Sequence, residues 1–97
     1  MLIYADFMKM DDEGRLVLSC LGTHKDLTEN RVTLKEGMKL VFYTDDEDDE
    51  GKSDDLVVEG TIERDAEKNR WVARINWDEI KNISRLSRAE KKQLGIA

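Results

Sequence analysis

The sequence predicts a mainly all-β domain: a small five-stranded antiparallel barrel with a short helical turn after the second strand and a short C-terminal helix. Three observations carry this expectation. Short apolar segments recur through the first eighty residues, bounded by Gly, Asp and Asn, at the spacing of a sandwich or barrel. One of them alternates cleanly, with Leu56, Val58, Gly60 and Ile62 on one face and Val57, Glu59, Thr61 and Glu63 on the other. A chain of 97 residues, 39% apolar, has room for one modest core.

Residues 2–10 and 15–21 form the expected first hairpin. Asp11-Asp12-Glu13-Gly14 supplies its turn, with Gly14 taking the positive φ that closes a three- or four-residue loop. Both faces of Leu2 to Met10 carry apolar residues, so this strand is expected to be covered on both sides or to curl across a barrel seam. Thr23 to Asp26 has the spacing of a capping box and Asn30 that of a left-handed stop, which places a helical turn over 24–29. After Lys35-Glu36-Gly37, Met38, Leu40 and Phe42 share the core face, while Lys39, Val41 and Tyr43 face outward. Gly60 in the next strand marks a bend, and the loop at 65–69 returns the chain to Arg70 through Trp77, with Trp71, Ala73, Ile75 and Trp77 facing the core. Ile80 and Ile83 are placed to plug one barrel end from a helical turn. Ser87 to Glu90 reads as a capping box, Gly95 as the residue after the helix end, and the helix as 88–94. The domain is thus 1–83, with a basic helical tail over 84–97.

Five strands so connected, the run Glu36-Gly37-Met38-Lys39-Leu40-Val41 and the hairpin at 65–69 resemble a small SH3-like barrel over about residues 2–83. In size the chain is similar to small uncharacterised bacterial proteins of that kind, and the resemblance implies a fold and no known activity. The aromatic pocket and proline-binding signature of signalling SH3 domains are not recognisable, and the chain contains no proline. A five-stranded OB-like barrel is the alternative.

Charge is unevenly placed. Residues 1–80 hold 21 acids against 11 bases, whereas 81–97 hold Lys81, Arg85, Arg88, Lys91 and Lys92 against Glu90 alone. An acidic body repels phosphate, so nucleic acid is unlikely and would be approached through Arg85, Arg88, Lys91 and Lys92. No apolar run reaches the roughly 20 residues of a membrane span, and the start of the chain lacks the basic and apolar regions of a signal peptide. Cys20 alone permits no internal disulfide, and the cytoplasm is the expected compartment.

The densest charge lies between two strands, where Asp45 to Asp55 holds eight of the 22 acids. Read as an EF-hand loop from Asp46, it offers Asp48, Glu50 and Gly51 in place but Val57 where the bidentate glutamate belongs, so no specific calcium site is expected and a solvated, mobile tip is. One Cys and one His cannot close a structural zinc site, and His24 in a connector is a poor catalytic base. Cys20, in line with Leu16 and Leu18, reads as a packing thiol, and Asp6 as an outward strand residue or ion-pair partner. These residues point to a non-enzymatic module with no cofactor that binds another protein or itself. The candidate contact surface is the outward stripe Val41, Tyr43, Val57 and Val72, with Glu59 and Arg74 on its border.

Overall fold

The computed structural model describes residues 1–96; the last residue of the expected tail, Ala97, lies outside them. The chain runs β1 (Ile3–Tyr4), β2 (Leu16–Val17), α1 (Leu21–Glu29), β3 (Lys39–Thr44), β4 (Leu56–Asp65), β5 (Arg70–Ile75), a 3₁₀ turn (Trp77–Glu79), β6 (Lys81–Asn82), a second 3₁₀ turn (Ile83–Arg85) and α2 (Arg88–Gln93). The sheet is a curled half-barrel in the order β1-β3-β4-β5-β2, with β6 beside β4. It is mixed, which corrects the expected antiparallel barrel: β1 pairs with β3 in parallel, Ile3 opposite Phe42 and Tyr4 opposite Tyr43.

The first strand is short because Asp6 ends it. The Asp6 carboxylate accepts the Met8 N–H at 2.9 Å and its carbonyl accepts the Lys9 N–H, so Asp6 is a turn former rather than an outward strand residue. Beyond that turn Lys9 and Met10 rejoin the sheet beside β2, through the Val17 N–H to Lys9 carbonyl bond and the Met10–Leu16 bridge. The segment from Ile3 to Met10 thus curls from one edge strand toward the other.

The free edge of β1 is closed by α1. Thr23 Oγ1 donates to the Tyr4 carbonyl at 2.6 Å, and the Tyr4 N–H donates to Asp26 Oδ2 at 2.8 Å. Side chains on one helix face therefore satisfy backbone groups that an exposed edge would offer to another chain. This is the physical reason the expected capping box does not form. Thr23 and Asp26 are committed to β1, the helix starts three residues earlier than expected from an N-cap at Cys20, and the left-handed residue is Arg31 (φ 55°), one past Asn30. With its single proton given to Tyr4, the Thr23 hydroxyl accepts from the Cys20 thiol at 2.9 Å, and Cys20 is half-buried.

The core lies inside the curl. Ile3, Ala5, Phe7, Leu16, Leu18, Leu27, Leu40, Phe42, Val58, Ile62 and Ala73 form one buried cluster, with Met38, Trp71, Ile75 and Ile80 packed against it. The strand parity read from sequence holds over β3, β4 and β5, and a Cβ at Gly60 would meet Ile75 Cγ2 at 3.0 Å and Phe42 Cε2 at 3.1 Å. That close approach is what the Gly60 bend permits. Trp77 departs from expectation: β5 ends at Ile75, and Trp77 sits 37% exposed in the 3₁₀ turn, its indole N–H on the Gly14 carbonyl at 2.8 Å. Ile83 does start a helical turn, whereas Ile80 reaches the core from extended backbone.

One turn is built twice, and the repeat is visible in the residues themselves: Asp11-Asp12-Glu13-Gly14-Arg15 and Asp48-Asp49-Glu50-Gly51-Lys52. In each, the first Asp accepts the N–H groups two and four residues ahead, bonds its own N–H to the carbonyl of the closing base, and accepts the glycine N–H. The glycines lie at φ 74° and 78°, the left-handed position of a three-residue hairpin loop. The acidic run is therefore a solvent-exposed hairpin, bridged at Glu47 and Ser53.

Candidate interaction groove on the outward face

The outward face of the sheet divides in two because β4 changes partner along one side. β5 accompanies it from Asp65 back to Gly60, opposite Ile75, and β6 takes over at Val57, opposite Lys81. Residues 76–80 leave the ladder between these points, so Val58 and Glu59 have no strand opposite them on that side. The departure is fixed: Asn76 Oδ1 accepts the Asp78 N–H at 3.0 Å, and the Trp77 indole is held by Gly14. The chain then returns over the opening. Ser84 donates its N–H and hydroxyl to the Asp54 carboxylate at 3.0 and 2.6 Å, and Asn82 donates to Asp46 and to the Asp54 carbonyl. α2 follows, started by a complete Ser87–Glu90 capping box, and Lys81 Nζ meets Glu90 Oε2 at 2.9 Å.

These elements enclose a groove of about 380 Å³. The half-buried Leu86 and Leu94 give it an apolar floor, with the buried Val57 behind them. Its exposed rim carries Glu59, Asp78 and Glu79, and among the described residues no basic side chain pairs with any of the three. The fourth carboxylate, Glu90, is occupied by the Ser87 N–H and then by Lys81, which hold it below its ordinary value.

The expected stripe maps onto this face unevenly. β3, β4 and β5 are adjacent, as it required, with Tyr43 opposite Val57 and Val41 opposite Glu59. Val57 and Val72 are buried, however, and so present no free apolar surface. Tyr43 is half-buried with its ring edge-on to Tyr4, centroids 5.6 Å apart; burial and the charges of Asp26, Asp45 and Asp55 raise its hydroxyl above the usual value. Val72 lies beside Val17 and Glu63 under an ion-pair network. There Arg74 Nε meets Glu63 Oε2 at 2.6 Å, and Arg15 meets Asp11 at 2.7 Å and Glu63 at 3.0 Å. Arg74 is thus paired with Glu63 while its side chain stays about half exposed. Of the expected contact residues the groove collects Val57 and Glu59. Leu86, Asp78 and Glu79 were not legible as partners of these two, because β6 is only two residues long and carries no periodicity.

The tail cations also divide. Arg88, Lys91 and Lys92 line one open depression of about 570 Å³ with Ile96, on the helix face turned away from Glu90 and Leu94. Arg85 stands apart, its charge helping Ser84 to lower Asp54. Among the described residues there is no cluster of His, Cys, Asp and Glu arranged to hold a metal ion, and no helix is long and apolar enough to cross a membrane. His24 is exposed on α1. No known protein family, curated protein or solved structure matches the chain.

Proposed function

We propose that this chain is a non-enzymatic protein-interaction module of the cytoplasm, built on an SH3-like curl of strands, that receives a segment of another protein in the groove between β4, β6 and α2. The carrying observation is the combination of an apolar floor and a rim of unpaired carboxylates where one side of β4 lacks a strand neighbour. Interaction sites commonly join a desolvated apolar centre to a polar rim. The free thiol of Cys20 accords with a reducing compartment, and the single exposed histidine with a role other than catalysis. The test is site-specific photocross-linking in lysate of the source cell. A photoreactive residue replacing Gln93 in the groove should give a discrete adduct that one replacing Lys68, in the β4–β5 loop, does not. Equal labelling at both positions would remove the groove as the contact site.

A second reading rests on the clustering of Arg88, Lys91 and Lys92 around Ile96: contact with a nucleic-acid backbone through the tail. Fluorescence anisotropy with a labelled single-stranded RNA twelve-mer tests it. Binding that weakens steeply with salt and is lost when the three cations become Gln supports this reading; no binding at low salt ends it.

A further inference from the structure

We infer that the groove takes a basic segment of the partner, one or two aliphatic side chains seated on Leu86 and Leu94 and flanking Lys or Arg side chains set against Glu59, Asp78 and Glu79. The inference rests on the interaction-module reading and adds the chemistry of the partner. Charge decides the occupant. Three exposed carboxylates line one opening with no cation among the described residues paired to them, and Lys81, the one ammonium lining the groove, is committed to Glu90. An acidic segment would meet like charge there and a neutral one would leave the carboxylates unpaired, whereas a basic one complements them and gains charge-assisted hydrogen bonds. Size limits the apolar part. At about 380 Å³ the groove is near the lower end of ligand pockets, which run from roughly 300 to 1,000 Å³. It therefore admits side chains of an extended segment rather than a globular surface. The chain's own cations do not fill the role, since Arg88, Lys91 and Lys92 line a separate depression.

The probe is the capped hexapeptide KLRIKK, compared with KGRGKK and with spermidine, titrated into the full ¹⁵N-labelled chain at low salt. KLRIKK should bind at least about tenfold more tightly than KGRGKK, the scale of burying two aliphatic side chains. Its shifts should centre on amides of 57–59, 78–81 and 93–94. Glu59→Gln with Glu79→Gln should weaken binding at least about fivefold, while Glu47→Gln with Asp49→Asn in the acidic hairpin should leave it unchanged. Both pairs are exposed, so neither threatens folding. Equal affinity for spermidine or KGRGKK, shifts confined to 45–50, or indifference to the groove variant would each overturn the inference. A partner cross-linked at position 93 together with no KLRIKK binding would overturn it too, while leaving the interaction-module reading intact.

Discussion

The twin turns provide an internally controlled measurement of what burial does to one sequence motif. Asp11→Ala and Asp48→Ala each remove a carboxylate that accepts two backbone N–H groups in the same geometry. At Asp48 the turn is exposed and water can replace the lost acceptor, so the cost should stay below about 1 kcal/mol. At Asp11 the side chain is only 7% exposed, and it also holds Arg15, itself 12% exposed, at 2.7 Å. Its removal strands N–H groups and loosens a guanidinium that meets Glu63 in the network over Val17 and Val72. Hydrogen bonds to charged groups contribute about 1.5–3 kcal/mol, and an unsatisfied buried partner adds to the loss, so Asp11→Ala should cost about 2–4 kcal/mol. Urea unfolding followed by circular dichroism measures both, with equal m-values as evidence that the unfolded states are alike. Equal losses for the two variants, or a larger one at Asp48, would refute the assignment of the difference to burial.

Acid should destabilise the fold through identifiable groups. Burial pushes the Asp11 carboxyl up, but the N–H and guanidinium of Arg15 outweigh it and hold it low; Glu63 is lowered by Arg74 and Arg15, Asp54 by Ser84 and Arg85, and Glu90 by Ser87 and Lys81. Depressed carboxylates contribute stability that is present above their unfolded values of about 4 and lost as pH falls through the folded ones. The melting temperature should accordingly be flat between about pH 5 and 7 and drop below about 4; a fall confined to the higher interval would contradict these pairings. Thr23→Val, close in shape, leaves the Tyr4 carbonyl unmet beside a fully buried site and should cost about 1–3 kcal/mol in thermal or urea unfolding, with Thr23→Ser largely restoring it. Gly60→Ala sets overpacking of about 1–3 kcal/mol against a strand-forming gain of about 0.5–1; Phe42 and Ala73 are fully buried and cannot yield, so a net loss of about 1–2 kcal/mol is expected, and a stabilised variant would show that the bend relaxes.

What was legible in the sequence follows the range over which each signal acts. Alternation in Leu40, Phe42, Val58, Ile62 and Ala73 reports the local face of a strand, and all five lie in the core. The Ser87–Glu90 cap and the Gly14 turn are set by neighbours a few residues apart and form as read. The misreadings are long-range. Nothing near Ile3 announces a parallel partner at Phe42, and Thr23 with Asp26 has the local grammar of a cap while its polar atoms are claimed by a strand edge some twenty residues earlier. Val57 and Val72 followed strand parity correctly, yet parity does not say whether the second face is covered. The groove was half legible for the same reason: Val57 and Glu59 announce themselves on β4, but their neighbours come from irregular chain after β5. The repeated Asp-Asp-Glu-Gly turn is present in the sequence, but its second copy is embedded among further acids and so reads as part of one charge run.

The tail's orientation bears most directly on what the groove is for. A basic tail beside an acidic body has an obvious electrostatic resting place, and if charge alone positioned α2 its cations would face Glu59, Asp78 and Glu79. They do not. The helix is tied to the body by the Lys81–Glu90 pair and by the chain preceding it, where Ser84 is bonded to Asp54, and it turns Arg88, Lys91 and Lys92 the other way. The pair is exposed and screened by solvent, so the directional part of the docking is the Ser84–Asp54 and Asn82–Asp46 bonding. That arrangement keeps the rim carboxylates unneutralised while five of the chain's cations lie within its last seventeen residues. With charge of one sign unpaired at the groove and Arg88, Lys91 and Lys92 on the opposite helix face, the compensating charge in the proposed complex comes from the partner.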